Sequence, residues 1–204
     1  MSRKEPAASL HLNQSGQKLD RRVRRTRNRL GDALIALMQE KPFDSITVQD
    51  LLERAGVSRS TFYVHYADKD DLLMSDADDF FEAISMALSA HGDKSDRVAP
   101  VQEFFAHVAQ ARRFVNSLAA AGKLHENLEL ARGHFARGIE RRLAELPRGS
   151  GIPAANRPAM AFALAGTLLA LLDWWINHGM RQTPAEMDRL YHTLVWCGVG
   201  PSAT

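Results

Sequence analysis

"ITVQDLLERAGVSRSTFYVHYADKDDLL", residues 46–73, sets two short apolar-periodic segments on either side of Ala-Gly-Val, and crowds the second with aromatic, hydroxyl and basic side chains. Thr47 stands where a helix N-cap stands, and Asp50, three residues on, makes a shortened capping box. The helix it opens, "VQDLLERA", puts Val48, Leu51 and Leu52 toward a core and stops at Gly56. Ser58 caps the next helix, where Phe62 and Tyr66 are four apart and share a face. Glycine permits the positive φ of a tight turn between steeply crossed helices, so the segment reads as a helix-turn-helix.

Upstream, Val23, Leu30, Ala33, Leu34, Leu37 and Met38 recur at three- and four-residue spacing, the mark of a longer helix that Pro42 stops. With it the pair closes a three-helix core of Leu34, Leu37, Phe43, Val48, Leu51, Val57, Phe62 and Tyr66. Residues 1–20 are polar, carry no basic-then-apolar leader, and read as a disordered tail. Downstream every segment has helical period. Asp70 and Asp71 suit the first turn of a helix running to His91-Gly92. "VAPVQEFFAHVAQARRFVNSLA" supplies one or two more, and "LHENLELARGHFARGIERRLAEL" another, striped by Leu128, Ala131, Phe135, Ile139, Leu143 and Leu146. "PRGSGIP" is a loop; Thr183, Pro184 and Glu186 take N-cap, N1 and N3 of the last helix. No stretch alternates with period two. The expected fold is all-α: a tail over 1–20, a helix-turn-helix domain over 21–67 and a helical domain over 68–204.

Residues 159–172 carry no charge, but Asp173 and Asn177-His178-Gly179 interrupt the run before the roughly 20 apolar residues a membrane span needs. A helix buried on most sides of a soluble protein fits better, with its remaining apolar face against a second copy. Ala159, Ala163, Ala165, Gly166 and Ala170 would allow close approach, giving a homodimer through the last two helices and a four-helix bundle. Charged residues at Leu168 and Leu172 are expected to break it.

Hydrophobic residues make up 45% and charged ones 25%, so the chain can bury a core. A single cysteine, Cys197, excludes an internal disulfide and a cysteine-rich metal site, and fits a reducing cytoplasm. The net charge of +2 is uneven: residues 1–67 hold 12 Lys+Arg against 7 Asp+Glu, residues 68–204 hold 14 against 17. Six of the nine residues in "RRVRRTRNR", Arg21 to Arg29, are arginine, a charge density that attracts nucleic acid.

Residues 24–73 resemble the DNA-binding domain of the TetR/AcrR family of bacterial transcriptional regulators. The likeness rests on the apolar-Thr-apolar start "ITV", the "AGVS" turn, the aromatic helix "TFYVHY" and Lys69 among acids. The rest matches in architecture and in a "WW…G…TP-E" junction. Tyr66 departs from the usual phenylalanine and leaves a hydroxyl to be satisfied; the basic tail is longer than the pattern requires. The resemblance implies a recognition helix in the major groove, with Arg59 and Ser60 at base edges. Thr61, Tyr63, His65, Thr47 and Lys69 would hold phosphates, and Arg27 the same strand. It further implies a double-stranded, near-palindromic operator, half-site centres ~34 Å apart or slightly more, and a repressor released by a small, largely apolar effector. For that effector Phe81, Ile84, Met86, Phe105, Val108, Phe114, Leu118, Phe135, Phe162, Trp174 and Trp175 are the candidate lining, with His107 and His134 for a polar end. Control by a protein partner, or by no effector, is the alternative. No Gly-rich phosphate loop, H-E-x-x-H, G-x-S-x-G or zinc spacing occurs, and His107 beside Glu103 lacks a nucleophile, so neither an enzyme nor a cofactor is expected.

Overall fold

In the computed structural model, backbone is described for residues 8–90 and 92–198, and side chains for residues 21–90 and 92–197. The described residues form helices and turns, with no strand among them. The chain divides into two compact units, Met1–Leu73 and Met74–Thr204.

In the first unit α1 (Ala8–Glu40) ends before Pro42, and a short 3-10 turn, Phe43–Ser45, leads into α2 (Val48–Ala55) and α3 (Arg59–His65). α1 begins thirteen residues before the expected start at Arg21, so residues 8–20 are helical where a tail was expected; residues 1–7 lie outside the described part. The physical reason is propagation: no proline falls between residues 8 and 41, and extending a formed helix costs far less than nucleating one. Leu30, Leu34, Leu37, Phe43, Ile46, Leu51, Phe62 and Tyr66 are buried together, while Val48 and Val57 are only half-buried at the rim. Gly56 ends α2 at φ 58°, and a Cβ there would lie 2.7 Å from Arg29 Nη2, which donates to its carbonyl at 3.1 Å. The left-handed conformation requires glycine, whereas the movable end of Arg29 could step aside.

α4 (Lys69–Ser85) carries Leu72 and Leu73, both buried, so the first unit extends six residues past the boundary expected at residue 67. It does not run to Gly92: it stops at Ser85, whose hydroxyl bonds back to Glu82 O at 3.0 Å, and a separate turn, α5 (Ala87–Ala90), follows.

In the second unit α6 (Val101–Gln110) and α7 (Arg112–Ala120) are distinct, followed by α8 (Leu124–Glu145), α9 (Arg157–Asn177) and α10 (Pro184–Gly198). Its core holds Phe104, Phe105, Phe135, Ile139, Leu143, Leu168, Leu172, Trp175, Tyr191 and Val195. Thr183 and Glu186 make the capping box of α10: the N–H and hydroxyl of Thr183 donate to Glu186 Oε2 at 2.7 and 2.9 Å. The loop between α5 and α6 is strapped down by buried Arg142, whose guanidinium donates to the carbonyls of Arg97, Asp93 and Ser95 at 3.0, 2.7 and 2.7 Å.

α9 is one helix long and apolar enough to cross a membrane, yet one side of it is core: Ala161, Ala165, Leu168, Leu169, Leu172 and Trp175 are buried. The opposite side, Ala159, Phe162, Ala163, Ala170 and Trp174, is exposed, and so are Leu190 and Leu194 of α10. Leu168 and Leu172 therefore belong to the core of the unit and not to an outer face, because they fall half a turn from Phe162 and Trp174 on the same helix.

Candidate nucleic-acid interface

Two caps fix the helices that carry the expected contacts. At α2, Asp50 Oδ2 accepts the N–H and the hydroxyl of Thr47 and the ammonium of Lys41, each at 2.7 Å, while Thr47 Oγ1 accepts Asp50 N–H at 3.1 Å. The bond from Lys41, followed by those from Thr47, holds the Asp50 carboxyl far below the ordinary carboxylate range. At α3, Ser58 Oγ accepts Thr61 N–H at 3.3 Å and also meets Thr61 Oγ1 and Ser60 Oγ, at 2.8 and 3.1 Å.

Between those caps α3 turns two faces. Phe62, with Tyr66 just past the helix end, is buried and anchors it. Arg59, Ser60, Tyr63 and Val64 stand out: Tyr63 is 51% exposed and Val64 78%. Thr61 and His65 lie half-buried at the edge toward α1. Arg59 Nη2 donates to Gln49 Oε1 at 3.3 Å, and Gln49 Nε2 donates to Glu53 Oε1 at 2.8 Å. Gln49 thus orients Arg59 from α2. Sequence reading missed it, although its place as the second residue of α2, at an exposed position, was a usable signal.

Three of the residues expected at phosphates have partners inside the unit. Both the N–H and the hydroxyl hydrogen of Thr47 go to Asp50. Arg27 Nε donates to Tyr66 Oη at 3.2 Å, which satisfies the hydroxyl that the unusual tyrosine brings. Lys69 Nζ donates to the carbonyls of Phe43, Ile46 and Asp44 at 2.8, 2.9 and 3.2 Å, and sits 4.5 Å from the Phe43 ring centroid. An ammonium has three hydrogens, so Lys69 is a clamp on the α1–α2 connection. The aspartates after α3 are also put to local use: Asp68 Oδ1 accepts Asp71 N–H, and Asp71 Oδ2 accepts Ala67 N–H, both at 2.9 Å.

The expected effector residues differ in burial. Phe81, Phe105, Val108, Leu118, Phe135 and Trp175 are buried against one another or their neighbours, with Phe105 and Trp175 rings 4.9 Å apart. Ile84, Met86 and Phe114 are half-buried. Phe162 and Trp174 face outward, since α9 turns them away from Leu168 and Leu172; Arg132 stacks over Phe162, and His178 over Trp174. His134 is buried between Asp78 and Arg137, its Nε2 2.7 Å from Asp78 Oδ1. His107 stacks on Phe80 at 4.4 Å, and loss of water around the ring lowers its pKa. Glu103 pairs with Arg97, which also bonds Asp188 at 2.9 Å.

Residues 30–75 match the N-terminal domain of bacterial regulatory proteins of the tetR family. The helix-turn-helix regulator YxbF of Bacillus subtilis is 40% identical over 60 residues, which are 29% of this chain and 16% of that protein. The chain thus spans about a sixth of that curated relative's length. Among solved structures, a TetR transcriptional regulator from Streptococcus agalactiae aligns with 88% of this chain and 98% of its own, at TM-score 0.58 and 25% identity. The dihydroxyacetone kinase operon activator DhaS aligns with 85% of this chain and 96% of its own, at TM-score 0.60 and 16% identity, a likeness of fold.

Proposed function

We propose that this chain, a DNA-binding transcriptional regulator of the TetR family, works as a homodimer that represses by occupying a near-palindromic operator. The observation that carries the reading is the outer face of α3, where Arg59, Ser60 and Tyr63 are presented together by a helix whose other face is locked into a core. Arg59 offers a bidentate donor pair to a guanine edge, Ser60 adapts to either strand, and Tyr63 and His65 reach phosphates. Thr61 adds a hydroxyl shared with Ser58.

Dimerisation is supported by the exposed apolar strip of α9 and α10, in which Phe162 is 56% and Leu194 49% exposed in the single chain. An isologous pairing of the two helices would cover it and join two copies of the reading unit in one particle. Occupying an operator excludes polymerase without any further surface, so repression is the mode proposed.

Release by a small apolar effector would require the packed rings around Phe105 and Phe135 to part, so such a ligand must select an opened state of the second unit. In the second reading a protein partner or DNA occupancy alone sets the output. Selection of bound duplexes from a randomised pool tests the main reading: an inverted repeat with half-site centres ~34 Å apart or slightly more is expected. A pool that enriches no motif would refute it.

A further inference from the structure

Beside α3 runs a groove of about 300 Å³ lined by Arg22, Val23 and Thr26 of α1 and by Ser60, Thr61, Val64 and His65 of α3. Its composition has a pattern. Val23 and Val64 supply aliphatic surface, and Val64 is 78% exposed on α3. Arg22, Thr26, Ser60, Thr61 and His65 supply polar groups around it, one of them a permanent cation. Aliphatic surface beside a cation and hydroxyls suits one repeating chemical unit: a deoxyribose with its phosphodiester.

We infer that this groove seats a sugar-phosphate of the DNA strand flanking the half-site, with Arg22 as its cation and Thr26 as its hydroxyl partner, so that α1 is itself part of the reading surface. The inference rests on the proposed function and extends it to a helix outside the helix-turn-helix. It also gives a use to the arginine run. Arg22, Thr26 and Arg29 follow at i, i+4 and i+7 along the side of α1 that meets α2 and α3: Arg29 is fixed to the Gly56 carbonyl, and Arg22 lies one and two turns nearer the start. Arg24, 200° round the helix from Arg22, belongs to the other side. The run is therefore divided, one stripe for contact and the rest as general positive field.

The groove adds Arg22 to Arg27 as a contact from α1; the Arg27 Nε is bonded to Tyr66 Oη. The groove lies beside Ser60 and Val64 of α3, and neither Arg59 nor Tyr63 lines it.

The test uses the full chain and the duplex it selects from a randomised pool, with affinity measured across salt concentrations. Arg22→Ala is expected to lower the slope of log K against log salt by about 0.9 per protomer, the signature of one lost phosphate contact. Arg24→Ala, equal in charge removed, is expected to lower it by clearly less. A duplex with one flanking phosphate replaced by a neutral methylphosphonate should weaken wild type and leave Arg22→Ala almost unaffected at one linkage in each flank. Equal slopes for Arg22→Ala and Arg24→Ala, or no linkage at which the two proteins differ, would overturn the inference. Failure of wild type to select any duplex would instead overturn the proposed function. Both substitutions are at exposed positions, and Arg22→Lys, which keeps the charge, should retain most of the slope.

Discussion

Lys69→Met separates the two roles open to that lysine. Its ammonium donates three hydrogen bonds, at 2.8, 2.9 and 3.2 Å, to the carbonyls of Phe43, Ile46 and Asp44, and lies over the Phe43 ring. A hydrogen bond to a charged group contributes about 1.5–3 kcal/mol net. The three share a single charge, and the Asp44 bond is at the surface, so they do not add. Methionine keeps the aliphatic stem but leaves the Phe43 and Ile46 carbonyls without their donor, a loss of about 3 kcal/mol. Urea unfolding of the full chain measures it. Far-UV circular dichroism follows both units, whereas the tryptophans, all at 174, 175 and 196, follow the second alone. The expected result is an earlier transition in ellipticity, with operator affinity recovered wherever the first unit is still folded. If Lys69→Met unfolds within about 0.5 kcal/mol of wild type yet loses more than about tenfold in DNA affinity, the ammonium serves a phosphate and the clamp is wrong.

Phe162→Glu or Leu194→Glu should give folded monomers by sedimentation, and Leu168→Glu an unfolded chain, because Leu168 is wholly buried; a folded Leu168→Glu monomer would return the interface to where the sequence put it. Gly138→Ala should destabilise by about 1–3 kcal/mol, since its Cβ would meet the Ser85 carbonyl oxygen, backbone that cannot step aside. Gly133→Ala on the same helix, with only the end of Arg137 nearby, should gain up to about 1 kcal/mol, and thermal melts compare the two. Asp50 has its pKa lowered by Lys41 and Thr47, so the stability it gives is present above the unfolded value, about 3.9, and is lost as pH falls below it. The melting difference between wild type and Asp50→Asn should therefore shrink from pH 7 to pH 3, and a constant difference would contradict that linkage.

The fold was largely legible because its signals are local. The Thr47 and Thr183 capping boxes, the Ser58 cap, the positive φ of Gly56 and the apolar spacing of α1 and α8 need no knowledge of distant residues. Direction on a helix with apolar residues all round was not legible. Leu168 and Phe162 are equally hydrophobic, and only packing against α8 and α10 says which turns inward. The same limit applied to polar groups. Sequence gave Thr47, Arg27 and Lys69 the chemistry of phosphate ligands, but each met a partner within its own unit, two of them more than 20 residues away along the chain. Arg142 read as an ordinary helix arginine, and its three carbonyl partners between Asp93 and Arg97 had no pattern to announce them.

The outer face of α3 is the premise of the whole mechanism, and Arg59 is an exposed specificity group on it. The direct measurement is the ratio of affinities for the selected duplex and a scrambled one of equal length and salt. Wild type should discriminate by about 10³ or more, and Arg59→Ala should lose roughly 1–3 kcal/mol of that per half-site while still sedimenting as a dimer. An Arg59→Ala protein with undiminished discrimination would mean that this helix does not read the DNA.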